Sequence, residues 1–501
     1  MAKVAIIGSG MGGLTAGNLL AKKGHDVTIF ESHFMPGGYT AGFWRKGFYF
    51  ESGTLSFESS STMFKAMEQI GIKDKVTFIR HKARWISDDY DECIESYADF
   101  KKMLYNAYPD EKENLNRCFK KIDAMYKPIH ATGRIPSADV CTGFSEKLDA
   151  TVKSLWHGLR EIKAALPYIN MTTSEFLQQF FEKGSGVYNA LYKCGYPEMS
   201  AGILGGAMNT LFEDYWTVKE GMQAWADALA DNFQNLGGTL LMKAPVDMIL
   251  TKDRKAIGVA SKGRLHTADY VVSASDYKRT FLELLDDKTL IPDEMLARIE
   301  QSPVSEGIFT VYLGLDMSNA ELRKRMKMHS LVLCNEEKNT DVNNADDRRY
   351  FEKAGFMAHS PSMENQNLSP EGKSSLMLQL MTNSGWMNNW GNGNRQEYRN
   401  LKESAKRALI IKIAKVIPDL ESRIVFEEAA TPLTYERYTG NSNGASSAWS
   451  WNPRKKFFKS PVSTNIETPV KNLYMGSCWA TQIGGVPGAL AAGYACAKKI
   501  K

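Results

Sequence analysis

A chain of 501 residues with 43% hydrophobic and 24% charged side chains has the make-up of a globular protein of one to three domains with a sizeable core. A formal charge of only +5 argues against a dedicated nucleic-acid binder. Seven scattered cysteines without a CxxC, and eight histidines without an HxxxH pair, predict no disulfides, no metal site and a reducing, cytoplasmic setting.

Lys3 to Ile7 reads as a short buried strand. The turn Gly8-Ser9-Gly10-Met11-Gly12-Gly13 follows at once, then a helix from Leu14 to Lys23 stopped near Gly24. Val27 to Phe30 is a second strand with Glu31 at its end, which completes a βαβ unit. In such a unit Gly8 permits the tight turn, Gly10 lets backbone approach a pyrophosphate, and Gly13 lets helix and strand pack closely. With Met11 and Gly12 they form the candidate phosphate-binding set, because free N–H groups at a helix start hold negative charge. Glu31 is placed to accept hydrogen bonds from a ribose and disfavours a 2′-phosphate. A second glycine pair, Gly37-Gly38, comes just after that acid, and the strand Phe48-Tyr49-Phe50 leads to Gly53. An extra glycine loop so close to the acid suits an extended, buried cofactor, which favours FAD over an exchanging NAD. The first apolar run is too short for a secretory signal, and none approaches the roughly 18–20 residues that span a bilayer. The protein is therefore expected to be soluble or to lie on a membrane surface.

Residues 79–215 are richer in helical and aromatic stretches. A helix is expected from Tyr108-Pro109 through Met125, and Thr172 with Glu175 forms a capping box. Leu155, Trp156, Leu159, Ile162, Leu166 and Ile169 share one helical face. A core-facing amphipathic helix is the first reading, and a helix on a membrane surface the second. Met222 to Leu236 is helical, with Ala224, Ala228 and Leu229 on one side, and Gly237-Gly238 ends it. Strands are expected at 239–242, 246–250 and 256–261, then at Pro303–Asp316 and Ser374–Leu380. Asn383 to Asn394 reads as a surface loop. Leu473 to Gly476 is a short strand, Ile483 to Gly488 a glycine loop, and Ala489 to Lys499 a small-residue helix. The loop offers N–H groups at a helix start, suited to the flavin's anionic side or the pyrophosphate.

These motifs resemble the phytoene desaturase group of flavoproteins, and within it the carotenoid isomerases and retinol saturases. The resemblance rests on Pro36-Gly37-Gly38, Gly42-Phe43, Gly47-Phe48, Phe50 and Gly53, on Glu220 to Val259, on His266 to Asp276, and on the tail from Asn472. It implies that Val246 meets the adenine and that Gly485-Val486 lies beside the isoalloxazine. It also implies roles in cofactor binding for Gly37, Gly38, Tyr39 and Gly476. Tyr39-Thr40 stands where the family often has Arg. Glu220-Gly221 replaces a glycine pair, and Gly476-Ser477 lacks the acid that binds a ribitol hydroxyl, so looser flavin binding or a differently placed tail is expected. The fold implied is α/β. A discontinuous Rossmann-type FAD domain spans residues 1–78, 216–300 and 440–501. A mixed-sheet and helical substrate lobe spans residues 79–215 and 301–439.

No Ser-His-Asp pattern, nucleophilic Cys motif or paired carboxylates stand out, so hydrolysis is not expected. The resemblance implies an FAD-dependent oxidoreductase that saturates or desaturates a long apolar polyene or isoprenoid by hydride transfer at flavin N5. The alternatives are a non-redox cis–trans isomerase with reduced FAD, an FAD-dependent amine oxidase, and a non-catalytic prenyl-binding protein. The expected partner is an apolar small molecule, with peripheral membrane contact. No catalytic residue is assigned; His359, Tyr438 and Glu220 are candidates for moving a proton, each with a structural role as the plainer reading.

Overall fold

A computed structural model describes residues 1–334, 340–460 and 463–501. Its first sheet has five parallel strands in the order Leu473–Met475, Tyr270–Ser273, Lys3–Ile7, Asp26–Phe30, Thr239–Leu241. Strands from the start, the middle and the end of the chain thus share one sheet. The central strand runs Val4, Ala5, Ile6, Ile7, all buried, as a strand covered on both faces must be. Helix Met11–Lys22 lies against helix Gly485–Lys499. The two backbones approach so closely that a Cβ on Gly493 would collide with the carbonyl of Gly12. The small-residue composition of the C-terminal helix is what allows this contact. An antiparallel meander, Val246–Lys252, Lys255–Ser261 and Arg264–Thr267, stands beside the parallel sheet.

The second sheet has seven strands in the order Ile424–Ala430, Gly307–Leu315, Ser374–Thr382, Phe356–His359, Ser330–Leu333, Ala83–Ile86, Asp91–Ile94. Every pairing in it is antiparallel except that of Ser330–Leu333 with Ala83–Ile86. Gly307–Leu315 is buried at all nine positions, so it is the central core strand of this half. Helices Tyr97–Ala107, Lys112–Thr132, Phe144–Ala165 and Leu204–Glu213 form the helical part. Thr172 and Glu175 close the expected capping box.

Three expectations need correction. The segment Asn383–Asn394 is not a surface loop. A left-handed turn at Met387–Trp390 carries Trp386 and Trp390 into the core against Phe351 and Phe309. In helix Met222–Asn235 the buried face is Met222, Trp225, Ala226, Leu229, Ala230 and Phe233, and Ala224 and Ala228 sit at its edge. The apolar face of helix Phe144–Ala165 does not point at the core. Leu155, Trp156, Leu159 and Ile162 are each 58–63% exposed, and Phe144, Leu148, Val152 and Leu166 join them. Only Ala150 and Ala165 of that helix are buried.

Candidate cofactor and active site

One cavity of about 450 Å³ opens between the two chain ends. Gly8, Gly10, Met11, Gly12, Glu31, Gly37, Gly38, Tyr39, Val246, Gly485 and Val486 all line it. Gly13 and Gly476 stand behind its wall: a Cβ on Gly13 would fall 2.1 Å from the Gly8 carbonyl, and one on Gly12 2.0 Å from the Gly476 carbonyl. Gly8 has φ +95°, which the tight turn requires and other residues resist. At Gly10 a Cβ would meet nothing within 4 Å, so it would stand in the cavity itself. The second glycine loop closes on the first through Gly37 N–H to Ser9 O at 2.9 Å. Helices starting at Met11 and Gly485 both present their N-terminal ends to this space.

Glu31 is held at the cavity edge by Ser9 N–H at 2.8 Å, Ser9 Oγ at 2.7 Å and His33 N–H at 2.8 Å. The backbone carbonyl of Glu31 accepts from Ala244 N–H at 2.7 Å, which brings Pro245 and Val246 alongside. The positions that depart from the family pattern are engaged within the protein. Tyr39 stacks on Tyr435 at 5.5 Å and donates to Gly444 O at 2.9 Å. Ser477 donates to Ser275 O at 2.8 Å, and Glu220 accepts from Thr77 N–H at 2.9 Å. Three cationic side chains missed in the sequence, Arg45, Arg279 and Lys402, line the cavity from other segments together with Arg437, which the family resemblance placed near the flavin. Their positive charge suits a pyrophosphate. The open Cβ position at Gly10, the acid at the far edge and the paired helix starts fit an extended adenine dinucleotide.

The family model for flavin-containing amine oxidoreductases matches residues 11–501. The chain belongs to that family. Among curated relatives, it is 26% identical to a chloroplastic prolycopene isomerase of an Oncidium hybrid cultivar, over 99% of this chain and 83% of that protein. It is 24% identical to the all-trans-retinol 13,14-reductase of Danio rerio, over 99% and 85% of the two chains. It is 22% identical to a 4,4'-diapophytoene desaturase of Staphylococcus aureus, over 97% and 96%. In fold it is similar to a putrescine oxidase variant, with TM-score 0.63 at 14% identity over 100% and 98% of the chains. An oxidoreductase of Methanosarcina mazei gives TM-score 0.61 at 14% identity over 98% and 99%. This flavin-containing oxidoreductase is thus an enzyme, its cofactor is FAD, and its fold is the Rossmann-type α/β arrangement expected from the motifs.

The flavoenzyme's C-terminal glycine loop is also bordered by two acids, Glu58 and Glu306. Glu58 Oε1 lies 3.7 Å from where a Cβ on Gly485 would sit. Burial lifts its carboxyl to about 7, and the Asp214 carboxylate adds to the effect. Glu306 borders the same loop: its carbonyl accepts from Ser446 N–H and Oγ at 3.1 and 2.8 Å, while Gly484 rests on the neighbouring Ser447 carbonyl. Burial lifts the Glu306 carboxyl to about 7 as well, and its Oε2 is buried without a partner. Tyr196, stacked on Trp451 at 4.2 Å, is within electrostatic reach of both acids.

Neither acid announces itself in the sequence. They lie 248 positions apart and belong to no spacing motif. The three earlier candidates fare differently. Glu220 is tied to Thr77 and Tyr438 is 49% exposed at the cavity mouth, while His359 is buried and bonded to Ser330. His359 also lies beside His81 and His329, a convergence that the absence of HxxxH spacing hides.

Proposed function

We propose that this enzyme saturates carbon–carbon double bonds of, or introduces them by desaturation into, a long, apolar, conjugated or isoprenoid lipid, with Glu58 as the proton-carrying group. The observation that carries the lipid reading is the exposed apolar face of helix Phe144–Ala165. Eight large hydrophobic side chains between Phe144 and Leu166 stand more than half exposed. Basic residues Lys147, Lys153, Arg160 and Lys163 accompany them on the same helix. A face of this size is costly in water and stable against a lipid surface. An enzyme that docks on lipid is placed to take its substrate from that phase. The names of the curated relatives agree, since a prolycopene isomerase, a retinol reductase and a diapophytoene desaturase all concern polyenes.

Bound flavin supplies hydride acceptance or donation; the chain's own residues must orient the substrate and handle the proton. A carboxyl that titrates near 7 is matched to giving or taking a proton at neutral pH. Glu58 has this property and stands next to Gly485, whose loop lines the cofactor cavity. Tyr196 and Trp451 present a stacked aromatic wall against which a flat conjugated chain packs by dispersion.

The test is an anaerobic reductive titration of the FAD-loaded protein, together with reoxidation of the reduced form. A polyene or isoprenoid lipid delivered in micelles should bleach the oxidised flavin or reoxidise the reduced flavin, and aliphatic amines should do neither. Rapid bleaching by an amine with no response to any polyene would overturn the reading in favour of amine oxidation.

A further inference from the structure

We propose that His81, His329 and His359 form a binding site for one divalent transition-metal ion of the zinc class. The three residues are far apart in sequence and meet through strand register. Ser330 is the register partner of both Ala83 and His359, so His81, just before one strand, and His329, just before its neighbour, reach the same end of the sheet as His359. All three side chains are buried, at 3%, 7% and 2% exposure. One ring nitrogen from each lies within 4.8 Å of the others. The ring centroids are 5.1, 5.2 and 5.7 Å apart. Three imidazoles on a tetrahedral ion with metal–nitrogen bonds of about 2.0–2.1 Å have centroids about 5 Å apart, so the backbone already holds the rings at ligand spacing.

The hydrogen bonds around the rings have the pattern that a metal site requires. In each histidine Nδ1 is the atom engaged by the protein: with Ser56 Oγ for His81, with Ser330 Oγ at 2.8 Å for His359, and with Glu364 Oε1 at 3.3 Å for His329. Glu364 is fixed in turn by Arg323 at 3.0 Å. Nε2 of His81 and of His329 is buried with no partner at all. A buried ring nitrogen without a partner is unusual, and two on rings 5.1 Å apart are more so. Ligating histidines commonly anchor one nitrogen on a carboxylate or hydroxyl and turn the other to the metal, and here Nδ1 is the anchored atom of all three rings. An all-nitrogen set selects zinc, copper, nickel or iron over magnesium or calcium, and three ligands leave the fourth position for water.

The full-length, FAD-loaded protein would be treated with a chelator, exchanged into metal-free buffer and titrated with Zn²⁺. Co²⁺ would serve as the spectroscopic probe. The expected result is one equivalent bound, with tetrahedral Co²⁺ bands in the visible after the flavin spectrum is subtracted. His329→Ala should weaken binding at least 100-fold while the flavin spectrum stays native, and Glu364→Gln should weaken it about 10- to 100-fold. His266→Ala, outside the cluster, should bind as wild type. Should His329→Ala fail to fold, His359→Gln takes its place. Less than a tenth of an equivalent on the wild type, or stoichiometric metal that persists in the cluster variants, would overturn the proposal.

Discussion

Gly10 and Gly12 are two positions apart, yet alanine should do opposite things at them. At Gly12 a Cβ would fall 2.0 Å from the Gly476 carbonyl and 2.9 Å from that of Ala489. An ordinary carbon–oxygen contact is about 3.3 Å, so the partners must separate by roughly 1.3 Å. Both obstacles are backbone, one just after a strand and the other inside the C-terminal helix, so no side-chain rotation relieves them. Overpacking of this kind costs about 1–3 kcal/mol, and a rigid backbone clash belongs at the top of that range. With an unfolding entropy of about 1 kcal/mol per kelvin for a chain of this length, Gly12→Ala should lower Tm by about 3 °C with or without flavin. At Gly10 the backbone has φ −70° and the Cβ position is open. Gly10→Ala should therefore change apo-protein stability by less than about 0.5 kcal/mol. With FAD the same methyl occupies pyrophosphate space and should weaken binding at least about 30-fold, or ~2 kcal/mol. Differential scanning fluorimetry of apo and FAD-loaded protein, with flavin content after gel filtration, reads both effects. Wild-type FAD affinity in Gly10→Ala, or an unshifted apo Tm in Gly12→Ala, would refute the reasoning.

Glu51 is buried where it accepts from Met222 N–H at 3.0 Å and the Tyr49 hydroxyl at 2.8 Å, and burial holds its carboxyl at about 8. The folded state keeps a proton that the unfolded chain releases near 4.5, so this stability is full below about 4.5 and is lost as pH rises to about 8. By pH 7 the loss is of order 3 kcal/mol; urea denaturation should show Glu51→Gln flattening the slope between pH 5 and 8, and a wild-type slope sinks this account. Glu58→Gln should slow the flavin half-reaction by about 10²–10⁴-fold and remove the rate limb centred near pH 7. An unchanged stopped-flow pH profile would remove Glu58 from the chemistry. Trp156→Asp with Leu159→Asp should abolish flotation with phosphatidylglycerol vesicles, because each large apolar side chain contributes about 1.5–3 kcal/mol to burial. Both positions are exposed, so Tm should stay within about 1 °C; retained flotation would place the membrane contact elsewhere.

Local spacing carried the cofactor half. A strand, a glycine turn, a helix start and an acid on the next strand are interactions between residues at most about 30 positions apart, and they leave the same trace in any chain that builds them. Gly8, Gly10, Gly13 and Glu31 were legible for that reason, as was the capping box at Thr172. The C-terminal glycine loop was legible as a helix start, and its partnership with the N-terminal turn, a contact across the whole chain, was expected only through the family resemblance.

Helical periodicity located an apolar helical face from Leu155 to Ile169, most of it in helix Phe144–Ala165, but could not say which way it faced. An apolar stripe has the same spacing whether it meets a core or a lipid surface, and only the packing of its neighbours left this one exposed. Composition likewise misjudged Asn383–Asn394, where Asn and Gly read as a loop while Trp386 and Trp390 in fact supply core volume.

The sequence by itself determined the cofactor class, because a dinucleotide is gripped mainly by backbone and backbone demands glycine at fixed intervals. The tertiary structure alone decided where Glu58 meets Gly485, where Arg279 meets the cavity, and where His81, His329 and His359 meet one another. Those meetings are set by the packing and register of separate segments, which leave no spacing motif for a linear reading to find.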